Sequence, residues 1–266
     1  MTPIFVSNLA APTPSTTPEF VIKRLPNQQS KSAGRKTLPR AAAEWALDSG
    51  AFSELSLYGE WRLTVREYNR AVRRYDDEIG SLSWVSPLDL MCEPEMLAKT
   101  GLTVQEHQRR TVENFVELQE LWTGRDYDNP YMPVIQGWLP EDYLRCLDMY
   151  EQYGVDLTNY PIVGVGSVCR RQASSQIDAV ISTILRRDPD MPLHAFGVKA
   201  GGLRLYGRKI YTSDSLAWSY QARREAPLPG HTHSSCANCL EYALNWRSRV
   251  LAVRPSRQLS LFDDLS

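Results

Sequence analysis

The sequence predicts an α/β fold: a (β/α)8 barrel of the TIM type with a metal-binding loop inserted near its C-terminus. Three observations predict it. Short apolar runs of strand length alternate with amphipathic helices. Nearly every run ends in a polar residue or glycine, and no glycine-rich phosphate loop follows the first run. Strands that alternate with helices pair in parallel through right-handed crossovers, and six or seven such units favour a barrel over an open doubly wound sheet. A chain of 266 residues, 42% of them hydrophobic, has room for one such barrel with a full core.

The elements follow in order. Residues 4–6 are a weak strand candidate, and 8–40 mix Pro, Ser, Thr, Gln and Lys without a period, as a loop does. Residues 1–40 are therefore expected to be an N-terminal strand and an irregular segment, 41–252 the barrel with a metal loop at 230–240, and 253–266 a flexible tail. The first firm strand is Trp45–Asp48; others are expected at 82–90, 132–136, 162–166, 194–198 and 210–213. Thr64 and Glu67 form a capping box, behind which Tyr68, Ala71, Val72, Tyr75 and Ile79 repeat at helical spacing until Gly80. Thr103 with Glu106 repeats the device ahead of Val112, Phe115, Val116 and Trp122. A third helix carries Ile177, Val180, Ile181, Ile184 and Leu185 on one face.

Composition excludes several classes. No apolar run approaches the roughly 20 residues that cross a bilayer, and the first residues lack the pattern of a signal peptide, so a cytoplasmic protein without membrane contact is expected. A net charge of −1 argues neither for nor against nucleic acid. The pairs Arg109-Arg110, Arg170-Arg171, Arg186-Arg187 and Arg223-Arg224 read first as solvated helix faces and second as phosphate contacts. Five cysteines, an odd number, argue against a disulfide framework and leave the close pair Cys236 and Cys239 to a metal.

In a barrel the carboxyl ends of the strands share one face, where active sites sit. Asp48, Asp89, Gln136, the 164–167 stretch, Gly197 and Asp214 would then converge. A single Asp after a strand is often only a helix cap; three together weaken that reading. Paired carboxylates suit chemistry at an anomeric carbon, one attacking and the other moving a proton. A planar base would also need a face, offered by Phe196 beside Gly197, and an edge, offered by Asp89 and Gln136. The residues alone do not choose between a sugar and a base.

His231-Thr232-His233-Ser234-Ser235-Cys236-Ala237-Asn238-Cys239 is the strongest local signal. It places four nitrogen or sulfur ligands within nine residues, the number a closed tetrahedral Zn2+ site takes. Such a site would be structural. Gln258-Leu259-Ser260-Leu261-Phe262 has the form of the short peptide that docks on the bacterial sliding clamp, with Leu261 and Phe262 as the apolar anchors; the bland reading is an apolar tail packed on its own barrel. Of the remaining histidines, His107 reads as solvated among charged residues, and His194 could hydrogen-bond near the site but has no spaced partner. Cys169 reads as buried or at an edge. Trp138 and Trp218 would line a base channel or fill the core.

The motifs Asp48-Ser49-Gly50-Ala51-Phe52, Val134-Ile135-Gln136-Gly137, Gly164-Val165-Gly166-Ser167, Phe196-Gly197-Val198 and Ser213-Asp214 occur in the order found in tRNA-guanine transglycosylases. The chain most resembles their DNA-acting relatives, the DpdA-type 7-deazaguanine transglycosylases of phages and bacterial modification islands, over about residues 44–250. The resemblance implies that Asp214 is the nucleophile and Asp48 the general acid and base. It implies that Asp89, Gln136, Gly137, Gly166, Ser167 and Gly197 surround the base, with Phe196 stacked on it. The partners would be DNA and a free 7-deazaguanine, the 7-cyano form or a relative, in a bacterial or phage-infected cell. His231, His233, Cys236 and Cys239 would take the place of the family's C-x-C-x2-C zinc cluster, with imidazoles for two thiolates. Ala51 stands where glycine is usual, and the surroundings of Asp89 match only loosely. The alternatives are the same exchange on tRNA, against which the chain shows no appended RNA-binding domain, a non-catalytic zinc protein that rides the clamp on DNA, and a glycoside hydrolase.

Overall fold

A computed structural model of the chain describes residues 44–124, 128–169, 174–198 and 200–252, with Phe5–Val6, Val21–Arg24, Leu38, Arg40, Ala41 and Arg171. It is an α/β protein, and among the described residues every strand pairing is parallel. The strands are β1 (Phe5–Val6), β2 (Val21–Arg24), β3 (Trp45–Asp48), β4 (Leu82–Val85), β5 (Val134–Ile135), β6 (Val163–Val165), β7 (Leu193–Ala195) and β8 (Thr212–Asp214). Between them run the helices α1 (Ala51–Tyr58), α2 (Val65–Ile79), α3 (Pro94–Thr100), α4 (Val104–Leu121), α5 (Pro140–Gln152), α6 (Ser174–Arg187) and α7 (Ala200–Tyr206). After β8 come α8 (Ala217–Ala222) and α9 (Leu240–Ala252).

One sheet has the order β2-β3-β4 and the other β5-β6-β7-β8-β1. A parallel bridge between Val85 and Tyr131 joins β4 to the residues just before β5. The eight strands thus form one run, β2 to β8 in chain order and then β1. The run is strongly curled. The Trp84 ring on β4 lies 4.9 Å from the His194 ring on β7, although β5 and β6 intervene and neighbouring strands stand about 4.8 Å apart. Ala46, Trp84, Met132, Val134 and Ile162 are buried together with Phe196 against them, so side chains fill the concave side. The larger core lies outside it, where Tyr68, Val72, Phe115, Leu118, Tyr150, Ile181 and Ile184 of the helices meet Leu47, Val85, Ile135, Val163 and Leu193. Burial of such apolar faces is what holds the helices on the sheet.

Several expectations change. Strand β2 lies within the 8–40 stretch read as a loop, its residues in parallel register with Trp45–Asp48. The apolar run 82–90 is strand only to Val85; from there the chain is irregular but buried through Cys92. Buried backbone must find partners for its N–H and C=O groups, and neighbouring side chains supply them. Asn114 donates to the Leu88 carbonyl at 2.7 Å and Trp61 to that of Asp89 at 3.0 Å. Thr111 Oγ1 accepts from the Leu90 N–H at 2.9 Å, and Ser167 Oγ from that of Cys92 at 2.7 Å. His107, expected to be solvated, is fully buried on the same errand, Nδ1 2.7 Å from the Met91 carbonyl and Nε2 2.7 Å from Thr100 Oγ1. Burial lowers its pKa.

The capping box of Thr64 and Glu67 forms as expected. Thr103 caps α4, but Glu106 turns to Arg109 and Arg110 instead of reaching back. Arg109 also pairs with Glu113, and Arg187 with Asp148 and Glu151. These arginines pair along solvent-exposed helix surfaces, where water and salt screen their charges. Trp218 is a core residue. Arg170 and the clamp-type peptide at 258–262 lie outside the described residues.

Strand β5, which ends just before Gln136, leans on a helix side chain. The Tyr150 hydroxyl accepts from the Val134 N–H at 3.1 Å and donates to its carbonyl at 3.0 Å. Tyr150→Phe strands both backbone groups in the interior and is expected to cost about 1–3 kcal/mol, read as a lower urea midpoint at unchanged slope.

Candidate active site

The carboxyl ends of β3 to β8 carry the residues singled out in the sequence. At the first, Asp48 closes β3 and accepts from the Gly50 N–H at 3.2 Å. Ser49 is fixed beside it, its N–H donating to Ser86 Oγ at 2.7 Å and its hydroxyl to Asp89 Oδ1 at 3.2 Å. Asp89 stands on the buried stretch after β4. Its other oxygen accepts from Gln136 Nε2 at 2.6 Å, and Gln136 Oε1 accepts from the Ser167 hydroxyl at 2.7 Å. Ser49, Asp89, Gln136 and Ser167, from four different strand ends, form one hydrogen-bonded chain. It is buried throughout.

Each member has a local reason for its position. The Gln136 backbone is held on both sides: its N–H donates to Cys146 Sγ at 3.4 Å, and its carbonyl accepts from Gln108 Nε2 at 2.7 Å. Gly166 allows the amide to lie flat across the strand end, since a Cβ there would fall 2.2 Å from Gln136 Nε2. Ser167 adopts a positive φ of 56°, an uncommon conformation for a residue with a side chain, and its hydroxyl is thereby turned inward. Gly137 packs against Asp142 and Tyr143 of α5.

Burial raises the Asp89 pKa to about 7, with the Asp48 charge adding to the effect and the Ser49 and Gln136 bonds opposing it. Asp48 and Asp89 therefore sense each other's charge. Glu93, at the head of α3, is a second buried carboxyl with a raised pKa, again from burial first; its Oε2 has no hydrogen-bond partner. Beyond it Arg171 lies over the Trp138 ring at 3.9 Å and donates to the Trp138 carbonyl.

The second group sits at the ends of β7 and β8. Asp214 is half-buried, and its Oδ1 accepts from the Gly197 N–H at 2.7 Å. Gly197 has a φ of 65°, and a Cβ on it would lie 2.2 Å from Cys169 Sγ. Cys169, read as buried or at an edge, is exposed. Phe196 meets the His194 ring edge-on at 4.7 Å, and one of its ring atoms would be 2.9 Å from a Cβ at Gly164. The Phe196 ring thus bridges the β6 and β7 ends.

The third feature is the loop between α8 and α9. His231, His233, Cys236 and Cys239 each offer a ligand atom, all within 4.8 Å of one another. Nδ1 of His231 is 3.2 Å from Nε2 of His233, 3.7 Å from Cys236 Sγ and 3.6 Å from Cys239 Sγ; His233 Nε2 is 3.1 Å from Cys236 Sγ. A tetrahedron with zinc-to-ligand bonds of 2.0–2.3 Å has edges of roughly 3.3–3.8 Å. The four groups fit a metal ion. Glu241 accepts from the far nitrogen of His231 at 3.0 Å, the outer contact that fixes a ligand's tautomer, and the Leu228 N–H donates to Cys236 Sγ at 3.3 Å. The loop is tied back to α8, where the Ser219 hydroxyl donates to the Ala237 carbonyl at 2.8 Å.

A family model described as DpdA, DeoxyPurine in DNA protein A, matches residues 15–261, most of the chain. The chain belongs to the DpdA family. No curated protein matches it. DpdA membership supports DNA modification by a transglycosylase-like protein, and DNA is a substrate consistent with it. Among the described residues no helix is long and apolar enough to cross a membrane.

Sequence reasoning missed the supports of this candidate site, Ser86, Gln108 and Glu93; it put His194 near the site without naming Asp214 as its neighbour. None sits in a motif. Gln108 alone left a signal, as a polar residue one position from His107 on what proves to be the inward face of α4.

Asp89 makes stability depend on pH. Its folded-state pKa of about 7 exceeds the ordinary value of 3.8, so the fold favours the acid form and unfolding in that window releases a proton. The stabilisation is complete below about pH 4, declines as pH rises, and is gone above about pH 7. Relative to Asp89→Asn, which cannot ionise, the wild type should lose on the order of 2 kcal/mol between pH 5 and pH 8 in urea titrations. Parallel stability curves for the two proteins would contradict this assignment.

Proposed function

We propose that this DpdA-family protein exchanges guanine in DNA for a 7-deazaguanine, such as the 7-cyano form, through a covalent Asp214–deoxyribose ester. The observation that carries the reading is the buried polar edge of Asp89, Gln136 and Ser167, set on the same strand-end face as Asp214. A purine edge needs such fixed donors and acceptors, and Phe196, whose ring lies against Gly164 on the neighbouring strand, would offer an apolar ring to its face. We further infer that β1 and β2 close the curled run into an eight-stranded barrel, which would gather both groups over one cavity.

In the first step an Asp214 oxygen attacks C1′, the C1′–N9 bond breaks, and guanine leaves with a proton from Asp48. In the second, the incoming base loses its N9 proton to Asp48, N9 attacks C1′, and the ester bond breaks. Two displacements retain the sugar's configuration, and one glycosyl bond is traded for another. The target nucleotide must leave the stack, which costs a few kcal/mol in a duplex and less in single-stranded DNA. Zinc at His231, His233, Cys236 and Cys239 would have four protein ligands and no open position, so it would act structurally, holding α8 and α9 close to the segment that follows Asp214.

Incubation with guanine-containing DNA and labelled 7-cyano-7-deazaguanine should transfer label to DNA and not to tRNA. Asp214→Asn should reduce incorporation by at least about a thousandfold; undiminished activity in that variant, or none in the wild type, overturns the reading. For the metal, the purified protein should carry one zinc per chain by elemental analysis. Cys236→Ser should lose most of it and unfold at least about 5 °C lower, and a metal-free wild type of equal stability would refute the assignment.

A further inference from the structure

His194 is buried completely, between the Trp84 ring at 4.9 Å and the Phe196 ring at 4.7 Å. Its Nδ1 lies 2.8 Å from Thr212 Oγ1. Its Nε2 has no hydrogen-bond partner and stands 3.5 Å from Asp214 Oδ1. A proton on Nδ1 would leave the Nε2 lone pair facing a carboxylate oxygen in the protein interior. With the proton on Nε2, the Thr212 hydroxyl donates to Nδ1 and the imidazole N–H points at Oδ1. The second tautomer keeps the Thr212 bond and aims a donor, instead of a lone pair, at the carboxylate.

We propose that His194 is a positioning residue for Asp214: its Nε2–H and the Gly197 N–H hold Oδ1, so that Oδ2 is the oxygen that attacks the sugar. Gly197 already bonds Oδ1 at 2.7 Å. The His194 distance is slightly longer than a hydrogen bond and shortens with a small rotation of the carboxylate, as such contacts do when substrate enters. The two donors serve both displacements. While the ester stands, Oδ1 is its carbonyl oxygen and keeps both bonds; when N9 of the incoming base displaces the ester, the charge returns to a carboxylate that the same two donors stabilise.

The inference rests on the base-exchange reading, and the test separates the two. The rate of forming a denaturant-stable protein–DNA adduct is measured at saturating single-stranded guanine DNA for the wild type, His194→Gln and His194→Phe. Gln keeps an N–H near the Nε2 position but loses the aromatic packing; Phe keeps the packing and loses the N–H. The expected result is a loss of about 10- to 100-fold for His194→Phe. KM for DNA should stay within about twofold, and His194→Gln should recover to within about fivefold of wild type. The reverse order, Phe active and Gln impaired, shows that the ring only packs and overturns the proposal. Thr212→Val, nearly isosteric, frees the wrong tautomer and should slow adduct formation about tenfold with little change in melting temperature. If the two His194 variants do not fold, an unaffected Thr212→Val refutes the proposal. A wild type that forms no adduct and incorporates no base refutes the exchange reading itself.

Discussion

Asp89 reaches the strand-end face on buried, irregular backbone, and such backbone is stable only when other groups satisfy its polar atoms. In water each unpaired N–H or C=O would be hydrated; in the interior each costs about 1–3 kcal/mol. Residues 88–92 avoid that cost because α4 presents His107, Thr111 and Asn114 to them, Trp61 reaches the Asp89 carbonyl, and Ser167 closes the far end. The helix that supports the loop also fixes its partner. Gln108, beside His107 on α4, donates to the carbonyl of Gln136, whose amide grips the Asp89 carboxyl. One helix therefore sets both halves of the buried polar edge.

The carboxylates Asp89 and Asp214 live in different surroundings. Asp89 has given up water, keeps Asp48 as a neighbour, and holds its proton to about pH 7. Asp214 remains partly exposed and rests on a backbone N–H. The segment after Asp214 runs straight into α8, and α8 is tied by Ser219 to the histidine–cysteine loop. A metal held there would stiffen the chain a few residues from the site without taking part in it.

Much of this was legible in the sequence because it depends on local pattern. Trp45–Asp48, the capping box of Thr64 and the apolar face of α6 follow from periodicity and turn chemistry, and the four residues that could hold a metal follow from spacing within one loop. The strand-end positions of Asp48, Gln136 and Asp214 follow from where each apolar run stops. The run 82–90 shows the limit: burial makes strand and buried loop equally apolar, so hydropathy cannot separate them, and Pro87 was the only local mark against a strand. His107 shows it again, because charged neighbours on one face of α4 say nothing of the face turned to the interior.

The sequence by itself determined the α/β class, the alternation of its elements, the family and the residues able to carry chemistry, since each is written in short-range pattern. Only the tertiary structure decided how far the strands curl, which Trp84 and His194 record by meeting across two intervening strands. It also decided which polar groups share protons. Asp89 with Gln136, Ser167 with Gln136 and Ser49 with Asp89 are separated by 47, 31 and 40 positions in the chain. Hydrogen bonds act over about 3 Å, and no periodicity along a chain encodes a distance that only its path through space creates.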